Sequence, residues 1–412
     1  MIFAFIVSFF SFAHIYLIGE LYISELMLLF YVVLSAGKLR LLFAPFPRRI
    51  LVLGGLWLLS QMLTDWYRGS PPENYLRGWA AIVFFLIDFC ALYIMTQQKK
   101  GLIRVLMLGS ALGTIFSVFT LPTDFSEGEP WKFGYGPPLT MLVLLYLSIG
   151  ERYKLKSSLV LLVGLGMLDV VLNARSLGGI TILTAAILYF VQANSGNRIA
   201  RPNPIMLMGM IGTLVVSLFG IMTVYQWAAE SGYLPADVTE KYYMGKTKDA
   251  GIIGMIVGGR PEILVSSRAV ADSPLVGHGS WAEDAKYSNM QYEAIAMLGL
   301  DLDDTYVENL VESSNLIPSH SVIMQAWVWA GLLGAVFWLF ILGLILRVTF
   351  ASCFISYALQ PLVIFSGISS MWNVLFSPFG SNQRFIWATV IVLLFVGREI
   401  IELERAQYCG KK

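Results

Sequence analysis

The chain has 412 residues, 57% hydrophobic and only 13% charged, with a formal net charge of +1 and a mean hydropathy of +0.69. A soluble domain carries about a quarter of its residues as ionisable groups, so a chain this poor in charge cannot cover its surface in water and takes lipid as solvent. The balanced charge, without a basic stripe, excludes nucleic-acid binding, and three cysteines without a C-x-x-C pair (Cys90, Cys353, Cys409) imply neither a disulfide framework nor a zinc site.

Runs apolar and long enough to cross about 30 Å of hydrocarbon are expected near residues 2–18, 22–43, 48–66, 79–97 and 102–120. Further runs lie near 137–150, 157–173, 177–194 and 205–227, and then near 321–346, 351–373 and 385–401. The first run lacks a basic leader and a small-residue cleavage motif, so it reads as a retained helix. The expected fold class is an all-α integral membrane protein of about twelve transmembrane helices. Helices one to nine occupy 1–227, a large partly helical external loop occupies 228–320, and helices ten to twelve with a cytoplasmic tail occupy 321–412.

Short loops that hold Lys and Arg mark the cytoplasmic side. Placing the N-terminus there puts Lys38, Arg40, Arg48, Arg49, Lys99, Lys100, Arg152, Lys154, Lys156, Arg198, Arg201 and Arg347 in the cytoplasm, and both termini with them. The opposite face receives Arg77, Lys132, Arg175 and the stretch 228–320. That stretch holds fourteen acidic and six basic residues, a net charge of −8. Within it, Pro261 to Ala271 and Ala282 to Met297 have helical spacing, separated by Ser273-Pro274 and a turn around Gly277-His278-Gly279. A loop of this length is usually functional.

Three residues on the external face carry the candidate chemistry. Arg175 closes a helix hairpin in Asn173-Ala174-Arg175-Ser176-Leu177-Gly178-Gly179, at the boundary where a cation meets lipid phosphate. Its bland alternative is a snorkelling interfacial arginine. Arg260 follows Gly258-Gly259, which lets backbone approach a ligand while the guanidinium forks onto a phosphate; a loop salt bridge is the alternative. His320, in Ile317-Pro318-Ser319-His320-Ser321, sits where the loop re-enters the membrane, and its imidazole is suited to accept a proton from a hydroxyl nucleophile. His278 reads as a turn residue and His14 as interhelical packing. Asp88 and Asp169 are ionisable groups inside apolar runs and each calls for a partner. No Walker A loop, G-x-S-x-G elbow, H-E-x-x-H motif or D-x-D pair is present. ATP-driven chemistry is therefore not expected, nor is a metal or other cofactor.

His320-Ser321, the nine residues Val322 to Ala330, and Gly331-Leu332-Leu333-Gly334-Ala335 together resemble the His, polar residue, nine-residue spacer and G-x-x-G element of the O-antigen ligase and polymerase superfamily. These are membrane glycosyltransferases of the C-type fold. Arg260 with Leu264 is similar to the family's R-x-x-x-L element. Arg175 is similar to its hairpin arginine, and Phe133-Gly134-Tyr135-Gly136 to its aromatic-glycine turn. Ala335 departs from the Thr or Val usual in the family.

The resemblance implies a bacterial inner-membrane enzyme of O-antigen, exopolysaccharide or capsule biosynthesis, with its active site and large loop periplasmic. The implied donor is an undecaprenyl-pyrophosphate-linked glycan, and the acceptor a glycan or lipid A core. Arg175 and Arg260 would hold the pyrophosphate, His320 would be the base on the acceptor hydroxyl, and the transfer would be metal-independent and inverting. Membrane lipids, a chain-length regulator and a flippase are the further partners implied. Polymerase is slightly favoured over ligase. A lipid-linked oligosaccharide flippase or other transporter is the alternative of a different class, although no internal repeat or pair of broken helices marks one.

Overall fold

The computed structural model describes residues 1–149, 155–193, 262–298 and 315–409, with isolated positions and short pieces between 212 and 243. It is almost wholly helical. Among the described residues four helices are long and apolar enough to cross a membrane: Pro72–Gln98, Leu102–Thr120, Arg175–Gln192 and Leu332–Ser352. A bent pair, Ile23–Leu34 with Ala36–Phe43, would bring the number to five.

The first two expected runs are not straight spans. Helix α1 (Ile2–Phe9) tightens into a 3-10 turn and gives way to a hairpin, β1 (His14–Tyr16) against β2 (Glu20–Tyr22). The chain reverses over Leu17–Gly19, where the Leu17 N–H donates to the Gly19 carbonyl at 3.0 Å, and Glu20 cannot continue an apolar helix into lipid. His14 therefore lies in a strand, its ring against Tyr16 and Tyr22, and does not pack between helices. Helix α2 (Ile23–Leu34) starts with the Glu25 carboxylate accepting the Tyr22 N–H at 2.9 Å, the reciprocal half of a capping box. It then bends by 94° into a 3-10 segment that carries Lys38 and Arg40, charges that cannot follow α2 along an apolar path.

Helix α3 (Pro45–Arg68) opens on a proline at its first position and closes on Gly69 in the left-handed conformation. Helices α4 (Pro72–Gln98) and α5 (Leu102–Thr120) follow, then short α6 (Asp124–Gly128). A π turn over Trp131–Tyr135, the aromatic-glycine stretch of the sequence, leads into α7 (Gly136–Leu147). Helices α8 (Leu155–Val171) and α9 (Arg175–Ala193) form a closely packed hairpin. The expected run 205–227 lies almost entirely outside the described residues.

Two helices of the acidic loop match their spacing in the sequence: α10 (Glu262–Asp272) and α11 (Ala285–Leu298). The expected single run from 321 to 346 is instead two helices, α12 (Val322–Ala330) and α13 (Leu332–Ser352). Gly331 separates them with φ +68 and ψ −157, a region that essentially only glycine enters. Gly334 completes the fold-back, because a Cβ there would stand 2.3 Å from the Ala326 carbonyl oxygen. Helices α14 (Gln360–Phe376) and α15 (Arg384–Cys409) end the chain.

The helices share one apolar core, with α1 against α5, α4 against α15, and α13 against α3 and α14. Its centre is aromatic: Trp57 stacks on Phe337 at 5.1 Å, and Trp338 meets Phe379 at 5.4 Å and Trp387 at 4.9 Å. Since lipid is as apolar as these rings, close packing and not water exclusion holds such helices together. A second, smaller cluster of Val265, Ala269, Val270, Tyr287, Ile317 and Val328 fastens α10 and α11 to α12.

Gly331→Ala should break this arrangement. Its Cβ would fall 2.1 Å from the Leu275 carbonyl oxygen, at a forbidden backbone angle. Purified G331A is expected to lose at least about 3 kcal/mol of stability, and a melting curve like that of the unmutated chain would count against the account.

Candidate active site

The site is built on a polar stripe along α3. Ser60, Gln61, Thr64, Asp65 and Arg68 recur at helical spacing on one face of an otherwise apolar helix. The face receives the loop between α10 and α11. Ser60 donates to the Ala330 carbonyl at 2.6 Å, and Thr64 donates to the Val276 carbonyl at 2.5 Å. Arg68 donates twice to the Gly277 carbonyl, at 3.0 and 2.8 Å, and once to Ser273 at 2.8 Å. Buried Asp65 accepts from the Ser280 N–H at 2.6 Å and its hydroxyl at 2.7 Å. It accepts also from Ser70 at 2.8 Å and the Trp79 indole at 2.7 Å. A carboxylate satisfied by four donors is stable in the interior without a counter-cation.

The loop makes its closest approach through glycine. Gly277 and Gly279 have φ +84 and +98, and a Cβ on Gly277 would meet the Gly331 nitrogen at 2.6 Å. The His278 N–H donates to the Val328 carbonyl at 2.6 Å, and its ring Nε2 lies 2.8 Å from the Ala269 carbonyl. His278 is thus a clasp between α10 and α12, in accord with its reading as a turn residue.

Past this clasp the chain delivers His320. The Ile317 N–H donates to the Ala282 carbonyl at 2.9 Å, and the Asp284 N–H to the Asn315 carbonyl at 2.6 Å, so 282–284 and 315–317 run as a short antiparallel bridge. Half-buried His320 follows three residues later, directly before α12. Ser321 caps that helix by accepting the Met324 N–H at 3.3 Å, and its hydroxyl donates to the Val374 carbonyl at the end of α14 at 2.9 Å. Gln325 adds a reciprocal pair with the Phe379 backbone, at 2.6 and 3.3 Å. The nine-residue spacer between His320-Ser321 and Gly331 is therefore one short helix, fixed at both ends.

Arg175 opens α9, which packs on α14, the same helix that holds Ser321. Its hairpin turns through Asn173 at φ +64, whose amide donates to Glu129 at 2.8 Å. Asp169, one turn earlier, accepts from the Trp131 indole at 2.9 Å and so has the partner its position called for. Helix α14 thus touches both α9, which Arg175 opens, and Ser321, the neighbour of His320. Arg260 lies outside the described residues.

A second polar centre joins the two ends of the chain. Buried Arg384, at the start of α15, pairs with buried Glu25 at 2.6 Å and donates to the Glu20 carbonyl at 2.7 Å. Glu20 also accepts from Tyr22 at 2.9 Å and from Ser381. Burial pushes the Glu20 carboxyl up, but the hydrogen bonds from Ser381 and Tyr22 outweigh it and hold the group below its ordinary range. Asp88 is fully buried in α4, within electrostatic reach of Glu25 and Arg384, and neither of its oxygens has a hydrogen-bond partner.

Reasoning from the sequence did not single out Asp65 or its stripe. The usable signal was the spacing of 60, 61, 64, 65 and 68 within an apolar run. Arg384 with Glu25 had no such signal, because the pair spans almost the whole chain. No family model and no curated protein sequence matches this chain.

Asp65→Ala would leave four donors without their acceptor, and a buried unsatisfied donor costs about 1–3 kcal/mol. Thermal unfolding should show a loss of at least about 3 kcal/mol, with D65N less affected. A second check concerns Asp272, whose carboxyl is held below its usual range by hydrogen bonds from Lys286 and Tyr287. A depressed carboxylate stabilises the folded loop above its unfolded pKa, about 3.9, and that contribution disappears as pH falls through the lower folded value. Hydrogen exchange of α10 and α11 should then be faster in D272N at pH 7, and the difference should shrink as pH falls below about 3.9. Identical exchange at pH 7 would remove Asp272 from the account.

Proposed function

We propose that the chain is a bacterial inner-membrane glycosyltransferase of surface-polysaccharide biosynthesis, of the O-antigen ligase and polymerase type. It transfers a glycan from undecaprenyl pyrophosphate to a saccharide hydroxyl on the periplasmic face. On this reading the chain crosses the membrane about twelve times, the short apolar helices included, with both termini cytoplasmic and with Arg175, the acidic loop and His320 on the periplasmic face.

The observation that supports this reading best is the helix α12 held between His320 and Gly331. The family-like spacing has a physical purpose here: Ser321 and Gln325 pin one end to 374–379, while Ser60 and the Gly277 turn pin the other. An imidazole at the end of a helix fixed in this way is preorganised, as a general base must be. In the reaction His320 accepts the proton of the acceptor hydroxyl while its oxygen attacks the anomeric carbon. The glycosyl–phosphate bond breaks on the opposite side, and the pyrophosphate leaves with the bonding electrons. Arg175 and Arg260 stabilise the negative charge that builds there.

Polymerase remains the favoured branch over ligase, and the product decides between them. Purified protein given lipid-linked repeat units, with and without lipid A core, should yield a ladder of longer glycans; a core-linked conjugate would select the ligase. Movement of labelled lipid-linked glycan across vesicles without a new glycosidic bond would replace both with a flippase. His320→Ala should lower turnover by about 10²–10⁴ with donor binding nearly intact, whereas Arg260→Ala should weaken donor binding as well. Full turnover by H320A would end the base assignment.

A further inference from the structure

Arg77, in the second turn of α4, is held in a way that its sequence context does not suggest. Its guanidinium carbon lies 4.3 Å from the centre of the Trp281 indole, a cation–π contact. Among the described residues it has no hydrogen bond and no ion pair, although Glu73 sits one turn before it. Glu20, beside the hairpin glycine that Arg77 crosses, is already engaged by Tyr22 and Ser381. Among the described residues, a half-buried guanidinium with five donors in a planar fork thus has the Trp281 ring against it and no counter-charge.

Several elements converge to keep it there. Trp281 takes φ +52, a left-handed conformation that a bulky side chain rarely adopts. Its carbonyl accepts the Asn74 amide at 3.4 Å, one turn from Arg77 on the same face of α4. Trp329 of α12 leans on Trp281 at 5.2 Å. A Cβ on Gly19 would come within 3.1 Å of the Arg77 stem, so the hairpin turn is small where that stem passes. Gly78 plays the same part beside Ser280, where a Cβ would stand 2.2 Å from the hydroxyl oxygen.

The next residue, Ala282, binds Ile317, and His320 is three residues beyond. Three extended residues reach at most about 10 Å, so the bridge at 282–317 ties the Trp281 end of the loop, and Arg77 with it, to the segment that carries His320. We propose that Arg77, carried on Trp281, is an oxyanion subsite on the acceptor side of His320, and that the acceptor is an anionic saccharide bearing a carboxylate or a phosphate. The guanidinium fork takes the oxyanion, and the half-buried indoles of Trp281 and Trp329 offer the apolar faces against which sugar C–H surfaces pack. The term acceptor rests on the transferase reading; the anion subsite does not.

The test uses the full chain in nanodiscs of phosphatidylcholine and three probes: methyl glucuronide, glucose 6-phosphate and methyl glucoside. Saturation-transfer NMR and tryptophan fluorescence report binding without turnover. The unmutated chain should bind at least one anionic probe about tenfold more tightly than methyl glucoside, and which one binds tells carboxylate from phosphate. Arg77→Gln should abolish the preference and Arg77→Lys should keep part of it, with melting temperatures showing that both variants fold. Equal binding of all three probes, or an undiminished preference in R77Q, overturns the proposal. If the preference depends on Arg77 but no variant forms a glycosidic bond, the subsite stands and the transferase reading falls. If transfer proceeds equally well to neutral acceptors, with KM unchanged in R77Q, the transferase stands and the subsite falls.

Discussion

Asp65 is the constraint from which the arrangement of α3, the 273–284 loop and α12 follows. A carboxylate removed from water must find donors, and the helix that bears it can supply none from its own interior, where every N–H is already committed. Two come from Ser280 of the loop, one from Ser70 after the helix and one from Trp79 of α4. Meeting that demand fixes the loop where α3 ends and α4 begins. The loop in turn closes on α12 through Gly277 and His278, and it pairs with the strand that leads to His320. Removing the demand would leave the loop with apolar contacts to α12 and a set of peripheral hydrogen bonds.

Much of this was legible in the chain itself. Low charge announced the membrane, and the spacing within 261–297 announced both loop helices. Where reading by apolar runs went astray, the reason was local and polar. The runs at 2–18 and 22–43 read as straight helices because Glu20, which lies between them, and Glu25 are diluted in a window average. Their partner, Arg384, is more than 350 positions away, beyond the reach of any periodicity. Gly331 was legible as part of a G-x-x-G element but not as a helix break, since its backbone angle goes with the close approach of Leu275 and Val276, which arrive from a different part of the chain. The site was half visible for the same reason: His320 and Arg175 stand at boundaries that hydropathy reveals, while the α3 stripe shows its meaning only once its partner loop is in place.

The pair of Glu25 and Arg384 has a different character from the Asp65 centre. Desolvating two full charges offsets most of their attraction, so such a pair adds little net stability, yet losing one partner leaves an uncompensated charge in the interior. Its effect is specification. It ties the first helices to the last one, so the hairpin that carries Gly19 is positioned by residues from the far end of the chain. Arg77 inherits that positioning, because its stem passes over Gly19.

Helix α12 also acts as a ruler. Nine residues at about 1.5 Å each make the helix between His320-Ser321 and Gly331 some 13 Å long, and each residue turns it by about 100°. Adding or deleting one residue between them would therefore swing the histidine about a quarter turn around the axis while the anchors at Ser60 and Val374 stayed still. A bulkier or smaller side chain along the spacer changes packing only; a change in its length re-aims the imidazole. The length of that segment, more than its composition, sets the direction in which the imidazole points.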